Sequence, residues 1–325
     1  MKLTRRNLLL AAAAAPMTVP LASRAESYPS KVVKMIVPYP AGSSLDVAAR
    51  IWSDSFPKHF GQPAIVVNQP GASGTIGTRA AAKAVPDGYT IMLGTNQTHG
   101  ANSALFPSLG YDAINDFAPI AGIARLQHVL VVRKDLGIST LADFIALACK
   151  PGQKINYGSS GNGSASHLAA EMFKIATGAR MDHTPYNGSS QVAQALMGSQ
   201  IDATFSTMPS VLSFIKSGGI TALAVASKDR APQLPALRTL AEQGVANSEA
   251  DAWTAFFAPA KTPPAVMTAL TDFTMKTFTT PEVREKLEAG GFVPDVTSGT
   301  AFRAVLAEDM KRWAKVIKAA NVKLE

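Results

Sequence analysis

The regular alternation of β-like and helix-like segments is the feature that most limits how this chain can fold. From residue 31 onward, short runs rich in β-branched residues alternate with longer segments whose apolar residues recur at helical spacing. Strands are predicted first at residues 31–37, 64–67 and 89–93, and helices at residues 47–56 and 78–84. This β-α-β-α-β order predicts a parallel sheet with right-handed crossovers.

The same alternation returns in the middle of the chain. Strands are predicted there at residues 154–157, 201–205 and 221–225, and helices at residues 165–176 and 191–197. Two further extended stretches, at residues 129–133 and 253–258, separate the two sets, and the C-terminal part is predicted to be helical over residues 264–277, 282–289 and 301–320. The pattern predicts an α/β fold of two lobes, with two sheets flanked by helices and joined by two crossing hinge strands. Lobe 1 is predicted at residues 26–125 plus 253–325, and lobe 2 at residues 126–252.

The N-terminus has the composition of a secretory signal peptide. Lys2, Arg5 and Arg6 precede an unbroken apolar run at residues 8–15, and Ser23-Arg24-Ala25 has small residues at both recognition positions of a cleavage site. A transmembrane anchor is disfavoured because a span needs about 20 consecutive apolar residues. Residues 1–25 are therefore predicted to direct export and to be cleaved near Ala25. The run TRRNLL also approaches a twin-arginine signal, so the sequence is compatible with export of either a folded or an unfolded chain.

The net charge limits which classes of partner the chain can bind, and the cysteine content limits how the fold can be stabilised. The net charge of +8 falls to +4 once the four basic residues of the signal peptide are removed. Without a Lys/Arg cluster, this mild excess gives no indication of nucleic-acid binding, and it suits attraction of a small anion. The single cysteine, Cys149, excludes an intrachain disulfide, so the exported chain must be held together by its apolar core.

Four loops that follow predicted strands are rich in small and hydroxylated residues. They lie at residues 38–46, 71–77, 94–99 and 158–167. In an open α/β sheet, the loops at the carboxyl ends of the strands form the ligand crevice. In the first loop, Ser43 is predicted to be the N-cap of the following helix, and Asp46 to complete a capping box.

Loops of this kind can hold an anion without any cationic side chain. A helix N-terminus presents unpaired N–H groups and the positive end of a dipole, glycine allows close backbone approach, and hydroxyl groups add donors. One such loop is commonly no more than a helix cap. Four of them at equivalent ends of two sheets predict a binding site for a small anion.

Sequence signatures of the competing α/β enzyme classes are absent. The chain contains no G-x-x-x-x-G-K-[ST] motif and no G-x-S-x-G nucleophile elbow. The spacing of Gly71, Gly74 and Gly77 differs from the dinucleotide fingerprint G-x-G-x-x-G. The chain is therefore expected to be no enzyme and to use no cofactor.

Several reactive or polar residues have an ordinary structural interpretation. The five histidines lie too far apart in sequence for a local metal-binding motif and are expected to be helix-face or hydrogen-bonding residues; they are His59, His99, His128, His167 and His183. Cys149 is expected to be a buried or half-buried bystander, and no metal site is predicted. Asp46 fits a capping role as well as a ligand role. Tyr186 fits a residue that lines the cleft or one that packs its own loop.

Six sequence motifs, spread over the exported chain, keep the order and spacing of a known family. They are PYPAGSSLDVAAR at residues 38–50, NQPGASGTIG at 68–77, PDGYT at 86–90, YGSSG at 157–161 with Ser164 and HLA at 167–169, PYNG at 185–188, and FAPA at 257–260 with Thr262-Pro263. Together they resemble the Bug-type receptors of tripartite tricarboxylate transporters. The resemblance implies a periplasmic-binding-protein fold (type II-like) that closes on a small organic carboxylate in the periplasm. It also implies a large and a small integral membrane subunit as partners.

The resemblance also implies a set of ligand-binding residues. By it, lobe 1 contributes Ala41, Gly42, Ser43, Ser44, Asp46, Ser73, Thr75 and Thr98, and lobe 2 contributes Ser159, Ser160, Ser164, Tyr186 and Ser206. Two positions depart from the family pattern. Ser43-Ser44 stands where a Gly-Gly pair is common, and Ser206 follows Phe205 where the family often has an acidic residue. The missing carboxylate favours a dianion without an amino group over an amino acid.

These observations predict a periplasmic receptor for a mono- or dicarboxylate that delivers its ligand to a tripartite membrane transporter. Two alternatives stay open at this point. One is an α/β enzyme, either an oxidoreductase or an esterase, and the other is a periplasmic sensor module with the same fold.

Overall fold

Two sheets of mixed strand direction form the framework of the molecule, which the computed structural model describes over residues 28–322. The predicted signal peptide and its cleavage site lie outside the described residues. The first lobe contains a six-stranded sheet with the order β11-β4-β10-β3-β1-β2, and the second lobe contains a five-stranded sheet with the order β7-β6-β8-β5-β9. The predicted α/β class with two sheets flanked by helices is confirmed.

The first lobe begins the chain and also ends it. Its N-terminal elements are β1 (Val33–Val37), α1 (Ser44–Phe60), β2 (Ala64–Asn68), α2 (Thr75–Ala82), β3 (Thr90–Thr95), α3 (Asn102–Leu105) and β4 (Phe117–Leu126). Its C-terminal elements are β10 (Ala252–Pro259), α8 (Pro264–Thr279), α9 (Pro281–Ala289), β11 (Val293–Ser298) and α10 (Gly299–Ala319). β1 pairs in parallel with both β2 and β3, which confirms the parallel arrangement predicted from the β-α-β-α-β order. The later strands β10 and β11 are antiparallel to their neighbours.

The second lobe lies between these two parts of the chain. Its elements are β5 (His128–Arg133), α4 (Leu141–Cys149), β6 (Ile155–Ser159), α5 (Ala165–Thr177), β7 (Met181–Pro185), α6 (Ser189–Met197), β8 (Ala203–Thr207), α7 (Met208–Lys216) and β9 (Ile220–Val225). β6 is parallel to β7 and β8, whereas β5 is antiparallel to β8 and β9. The half-buried Cys149 donates weakly to the Thr177 carbonyl from 3.6 Å, in agreement with a bystander role.

The chain passes between the lobes twice, and the two passages differ. The first is a nearly continuous extended segment, in which only Gln127 separates β4 from β5. The second is an irregular segment at residues 226–251 that leads into β10. The stretches predicted as connections are therefore strands within the sheets, since β5 lies between β8 and β9 and β10 between β3 and β4.

Sequence patterning missed three strands whose residues have weak strand propensity. β4 contains a proline and a glycine among its ten residues, and β7 and β11 are short and rich in polar residues. Each is stabilised by neighbouring strands rather than by its own composition, because pairing and burial dominate strand stability.

Helix α1 sets the geometry of the loop at residues 38–46 that precedes and begins it. The Ser43 hydroxyl accepts a hydrogen bond from the Asp46 N–H at 3.3 Å, so the predicted N-cap is confirmed. The capping box is wrong by one residue, because the Asp46 carboxylate accepts from the Gly42 N–H at 3.0 Å and not from the N-cap. At the other end, Gly61 adopts the left-handed conformation that ends the helix. Within residues 28–322, no helix is both long and apolar enough to cross a membrane.

Candidate functional site

A cleft between the two lobes contains a small inner cavity and a larger outer one. The inner cavity has a volume of about 60 Å³, and the outer cavity, of about 320 Å³, shares Tyr39 and Ser160 with it. The polar residues that line the inner cavity are Tyr39, Ser43, Ser44, Thr95, Asn96, Gln97, His128, Ser160, Ser164, Ser189 and Thr207. Both lobes therefore contribute polar side chains to one cavity.

Four helices begin at the inner cavity: α6 and α7 of the second lobe, whose N-caps Gly188 and Thr207 line it, and two longer helices, α1 of the first lobe and α5 of the second. Their N-caps, Ser43 of α1 and Ser164 of α5, both line it, and the Ser164 hydroxyl accepts from the His167 N–H at 3.3 Å. Leu45 and Ala165 also line the cavity from the first turns of these helices, where backbone N–H groups have no acceptor within the helix. The positive ends of two helix dipoles thus converge on the same small volume.

The wall of the inner cavity carries no formal charge. Among the described residues that line it, none is Asp, Glu, Lys or Arg, and the titratable side chains are His128 and Tyr39. Burial lowers the pKa of His128 to about 4, although a hydrogen bond to the Ala250 backbone partly opposes this effect. Burial raises the pKa of Tyr39 well above its ordinary value. At neutral pH the site therefore offers dipoles rather than charges.

The lobes touch across the mouth of the cleft, so the structure is a closed form. The Ser73 hydroxyl and the Gln97 side-chain amide of the first lobe both donate to the carbonyl of Asn162 in the second, at 3.0 and 3.3 Å. The Ser190 hydroxyl of the second lobe donates to the Gly42 carbonyl at 3.1 Å. These three contacts involve only neutral groups.

The structure brings six of the thirteen predicted site residues to the cleft. Ser43, Ser44, Ser160 and Ser164 line the inner cavity, and Ser73, Ser160 and Tyr186 line the outer one. Ser160 is the predicted residue found at both, and its hydroxyl lies 3.1 Å from that of Ser166.

Seven predicted residues lie elsewhere in the described chain, outside the lining of both cavities. Ala41 and Gly42 are exposed in the loop before α1, and Asp46, Thr75, Thr98, Ser159 and Ser206 are buried. Thr98 accepts from the Thr95 N–H at 3.0 Å, and Ser159 accepts from the Gly161 N–H at 3.2 Å, so these two hydroxyls shape loops. The Asp46 carboxylate is used by Gly42, Arg50 and Asn68.

Several lining residues were missed by sequence reasoning. Four of them lie within two of the loops identified above, namely Tyr39, Thr95, Asn96 and Gln97. Their composition identified these loops as candidates but did not identify the individual lining residues. The Tyr39 hydroxyl donates to Gln97 Oε1 at 2.9 Å and lies 3.1 Å from Thr95 Oγ1, which orders the first-lobe wall. Thr207 is the last residue of β8, and Ser189 is the first residue of α6. His128 was expected to be an ordinary hydrogen-bonding residue, and no local pattern marked it as part of the site.

Two buried side-chain nitrogen atoms of residues that line the inner cavity have no hydrogen-bond partner within residues 28–322. They are Asn96 Nδ2 and His128 Nδ1, and the two residues are only 2% and 1% exposed. Buried polar atoms without partners are rare and costly. Within the same residues, no group of three His, Cys, Asp or Glu side chains is arranged to hold a metal ion.

Comparison with known proteins gives consistent matches over most of the chain. Residues 48–322 match the model of the tripartite tricarboxylate transporter family receptor. The chain is 35% identical to Protein BugT of Bordetella pertussis over 304 residues, which is 93% of each chain.

Two solved structures share the fold. A Rhodopseudomonas palustris protein solved with adipate has 32% identity and a TM-score of 0.88, with 91% of this chain and 99% of that chain covered. MatC of the same organism, solved with bound malate, has 27% identity and a TM-score of 0.83, with 89% of this chain and all of that chain covered. The similarity thus extends to whole chains.

Proposed function

Because the chain belongs to the receptor family of tripartite tricarboxylate transporters, we propose that it closes on a small mono- or dicarboxylate and delivers it to a large and a small membrane subunit. The periplasm is the compartment of such receptors, and we propose that residues 1–25 direct export to it and are removed near Ala25. The relatives solved with adipate and malate support a carboxylate ligand for this chain.

The convergence of two helix N-termini on one uncharged cavity is the observation that carries this proposal. A carboxylate between Ser43 and Ser164 would receive backbone N–H groups and hydroxyl donors from both lobes. Because the ligand contacts both lobes, its binding energy favours the closed arrangement. We place the hinge at the two passages, with lobe 1 at residues 26–125 plus 253–325 and lobe 2 at residues 126–252.

The two cavities suggest how a longer ligand is accommodated. The inner cavity is large enough for a carboxylate head group, and the outer cavity, with Ser73 and Tyr186, is suited to the rest of the molecule. An amino acid is disfavoured because no described acidic side chain lines the inner cavity to neutralise an ammonium group.

We also propose that the receptor leaves its ligand chemically unchanged. General acid–base catalysis is most efficient when the pKa of the catalytic group is near the working pH. The pKa of His128 is held at about 4 by burial, and no described carboxylate lines the inner cavity beside it. The groups that line the site are thus suited to binding.

A thermal-shift screen of mono- and dicarboxylates tests the proposed function. A ligand at about 100 times its dissociation constant adds about 2.7 kcal/mol to stability, which gives a clear rise in the unfolding temperature. For the best ligand, Ser160→Ala is expected to weaken binding by about 10- to 100-fold, the equivalent of one hydrogen bond to a charged group. Isothermal titration calorimetry measures this change.

Ser217→Ala is the matched control, because Ser217 is exposed at the C-terminal end of α7, the opposite end from Thr207, which lines the inner cavity. It is expected to bind with unchanged affinity. A screen in which no carboxylate binds would reject the proposed function, and unchanged affinity of the Ser160→Ala variant would remove Ser160 from the site.

A further inference from the structure

Two of the helices that begin at the inner cavity, α1 and α5, start with the same arrangement of hydrogen bonds. In each, a serine N-cap accepts from the backbone N–H three residues later, and the side chain of that later residue accepts from the N–H of the glycine before the cap. In α1 the glycine is Gly42, with a φ of +78°, and the acceptor is the Asp46 carboxylate at 3.0 Å. As in a capping box, the two reciprocal bonds fix the path of the chain into the helix.

In α5 the acceptor is an imidazole instead of a carboxylate. Gly163, with a φ of +72°, donates its N–H to His167 Nδ1 at 3.0 Å, and the His167 N–H donates to the Ser164 hydroxyl at 3.3 Å. The equivalent bonds in α1 have the same lengths, 3.0 and 3.3 Å. His167 thus occupies in the second lobe the structural position that Asp46 occupies in the first.

The bond from Gly163 also determines the form of the imidazole. Because a backbone N–H can only donate, His167 Nδ1 must be a lone-pair acceptor, and in the neutral ring the proton is on Nε2. Burial lowers the pKa of His167 to about 4, with a smaller contribution from the charge of Lys174, so the ring is neutral at pH 7. An imidazolium would have no acceptor for the Gly163 N–H.

The imidazole is held in this orientation by side chains of the second lobe. It stacks on His183 of β7, with ring centroids 4.0 Å apart and planes 8° apart, and the ring of Tyr157 of β6 lies at 6.4 Å. Its Nε2 lies 4.0 Å from Glu171 Oε1, which also accepts from the Tyr157 hydroxyl at 2.6 Å. These contacts with β6, β7 and α5 itself fix the direction of the Nδ1 lone pair.

The residue four positions further along each helix explains why the two acceptors differ. In α1 this residue is Arg50, whose Nε pairs with Asp46 at 2.9 Å, whereas in α5 it is Glu171. A carboxylate at position 167 would be an unfavourable like-charge neighbour of Glu171. A neutral imidazole supplies the same lone pair without adding negative charge beside the N-terminus of α5.

We propose that His167 is a positioning residue for ligand binding: as a neutral acceptor it holds Gly163, and with it the Ser164 N-cap, where the N-terminus of α5 receives the carboxylate. This inference rests on the proposed function and gives a role to a residue that lines neither the inner nor the outer cavity. Ser164 lines the inner cavity, and Gly163 approaches Leu105 of the first lobe. A shift of Gly163 would therefore disturb both the donor groups and the contact between the lobes.

Two substitutions at position 167 separate the hydrogen bond from the packing of the ring. His167→Asn loses the ring but keeps an acceptor, because the side-chain oxygen of asparagine is as many bonds from the backbone as Nδ1 of histidine. His167→Phe keeps a ring against His183 but removes the acceptor. With the best carboxylate from the thermal-shift screen, calorimetry at pH 7 is expected to show at least about ten-fold weaker binding for His167→Phe and less than about three-fold weaker binding for His167→Asn.

Two further variants complete the experiment. His167→Ala removes both ring and acceptor, and it takes the place of His167→Phe if circular dichroism shows that the phenylalanine variant does not fold. Asp143→Ala is the matched control, because the Asp143 N–H donates to the N-cap Thr140 at 3.1 Å at the start of α4, in the same lobe. The start of α4 lines neither cavity, so this variant is expected to bind with unchanged affinity.

The outcomes distinguish this inference from the function on which it rests. If carboxylates bind and His167→Phe binds them as tightly as the wild type, the inference is rejected and the receptor function stands. If His167→Asn loses as much affinity as His167→Phe, or more, the packing of the ring matters and not its lone pair, and the inference is again rejected. If no carboxylate binds to the wild-type protein, the proposed function itself fails.

Discussion

At the scale of single residues, Asp46 shows how a candidate ligand residue can be a structural one. Its side chain is almost fully buried, and it accepts from the Gly42 N–H, from Arg50 at 2.9 Å and from Asn68 at 3.0 Å. Burial raises the pKa of this carboxyl, but the bonds from Arg50, Gly42 and Asn68 outweigh that effect and lower it. Asp46 therefore ties the first ligand loop to α1 and to the end of β2.

Asp46→Ala is expected to lower the free energy of unfolding at pH 7 by about 2 kcal/mol, because it removes the hydrogen bonds that Gly42, Arg50 and Asn68 donate to a charged group. Because the pKa is lower in the folded than in the unfolded state, this stabilisation is complete above the unfolded pKa of about 4 and is lost as the pH falls through the folded value. The difference between variant and wild type should thus be smaller at pH 3 than at pH 7. Urea unfolding at both pH values measures it.

Asp54→Ala provides the comparison on the same helix, because Asp54 is exposed. It should change the urea midpoint little at either pH. Equal destabilisation by the two substitutions would show that Asp46 does not anchor the loop.

At the scale of elements, α1 is held against α8 by a buried aromatic cluster that contains one polar contact. Trp52 and Phe273 pack edge to face with ring centroids 5.2 Å apart, and Phe56 lies against both. Inside this cluster the Trp52 indole N–H donates to Thr274 Oγ1 at 2.9 Å, and both residues are fully buried. The N-terminus of α1, which lines the inner cavity, is positioned by this packing.

Thr274→Val keeps the volume of the side chain but removes the acceptor for the Trp52 N–H. A buried donor left unsatisfied costs about 1–3 kcal/mol, so the thermal midpoint is expected to fall by several degrees. Differential scanning calorimetry measures the shift. Thr279→Val, at the exposed end of the same helix, should have a much smaller effect, and comparable shifts for both variants would contradict the role given to the Trp52–Thr274 bond.

At the scale of the whole molecule, Gly163 is where the closed lobes approach most tightly. It lies in the loop before α5 with a φ of +72°, and a Cβ atom at this position would be 1.8 Å from Leu105 Cδ1 of the first lobe. Leu105 is itself buried and has little room to move. A side chain at residue 163 is therefore incompatible with the closed arrangement as it stands.

Gly163→Ala is expected to hinder closure, and so to weaken carboxylate binding by at least about ten-fold and to reduce the ligand-induced decrease in radius of gyration. Small-angle X-ray scattering with and without ligand measures the second effect. Gly152→Ala is the matched control, because Gly152 has a similar φ of +79° but open space around its Cβ position. Both variants share the backbone strain, so equal losses of affinity would show that strain and not the lobe contact is responsible.

Local sequence was sufficient for the elements that depend on local interactions. The β-α-β alternation predicted the parallel core of the first sheet, and Ser43 was identified as an N-cap because capping involves residues only three positions apart. β4, with its proline and glycine, was missed because its stability comes from β10 and β11, more than a hundred residues away in sequence. An element could be predicted when the contacts that stabilise it lie close together in sequence, and it was missed when those contacts come from distant parts of the chain.

The same distinction holds for the site. Sequence by itself determined which loops are rich in backbone and hydroxyl donors, since those properties belong to each residue alone. Tertiary structure decided which of these groups meet: Asp46 is occupied by Asn68 and Arg50, whereas His128 and Thr207 join Ser43 and Asn96 around one cavity. The physical reason is that burial and pairing across a cleft arise between residues far apart in the chain, so no local pattern records them.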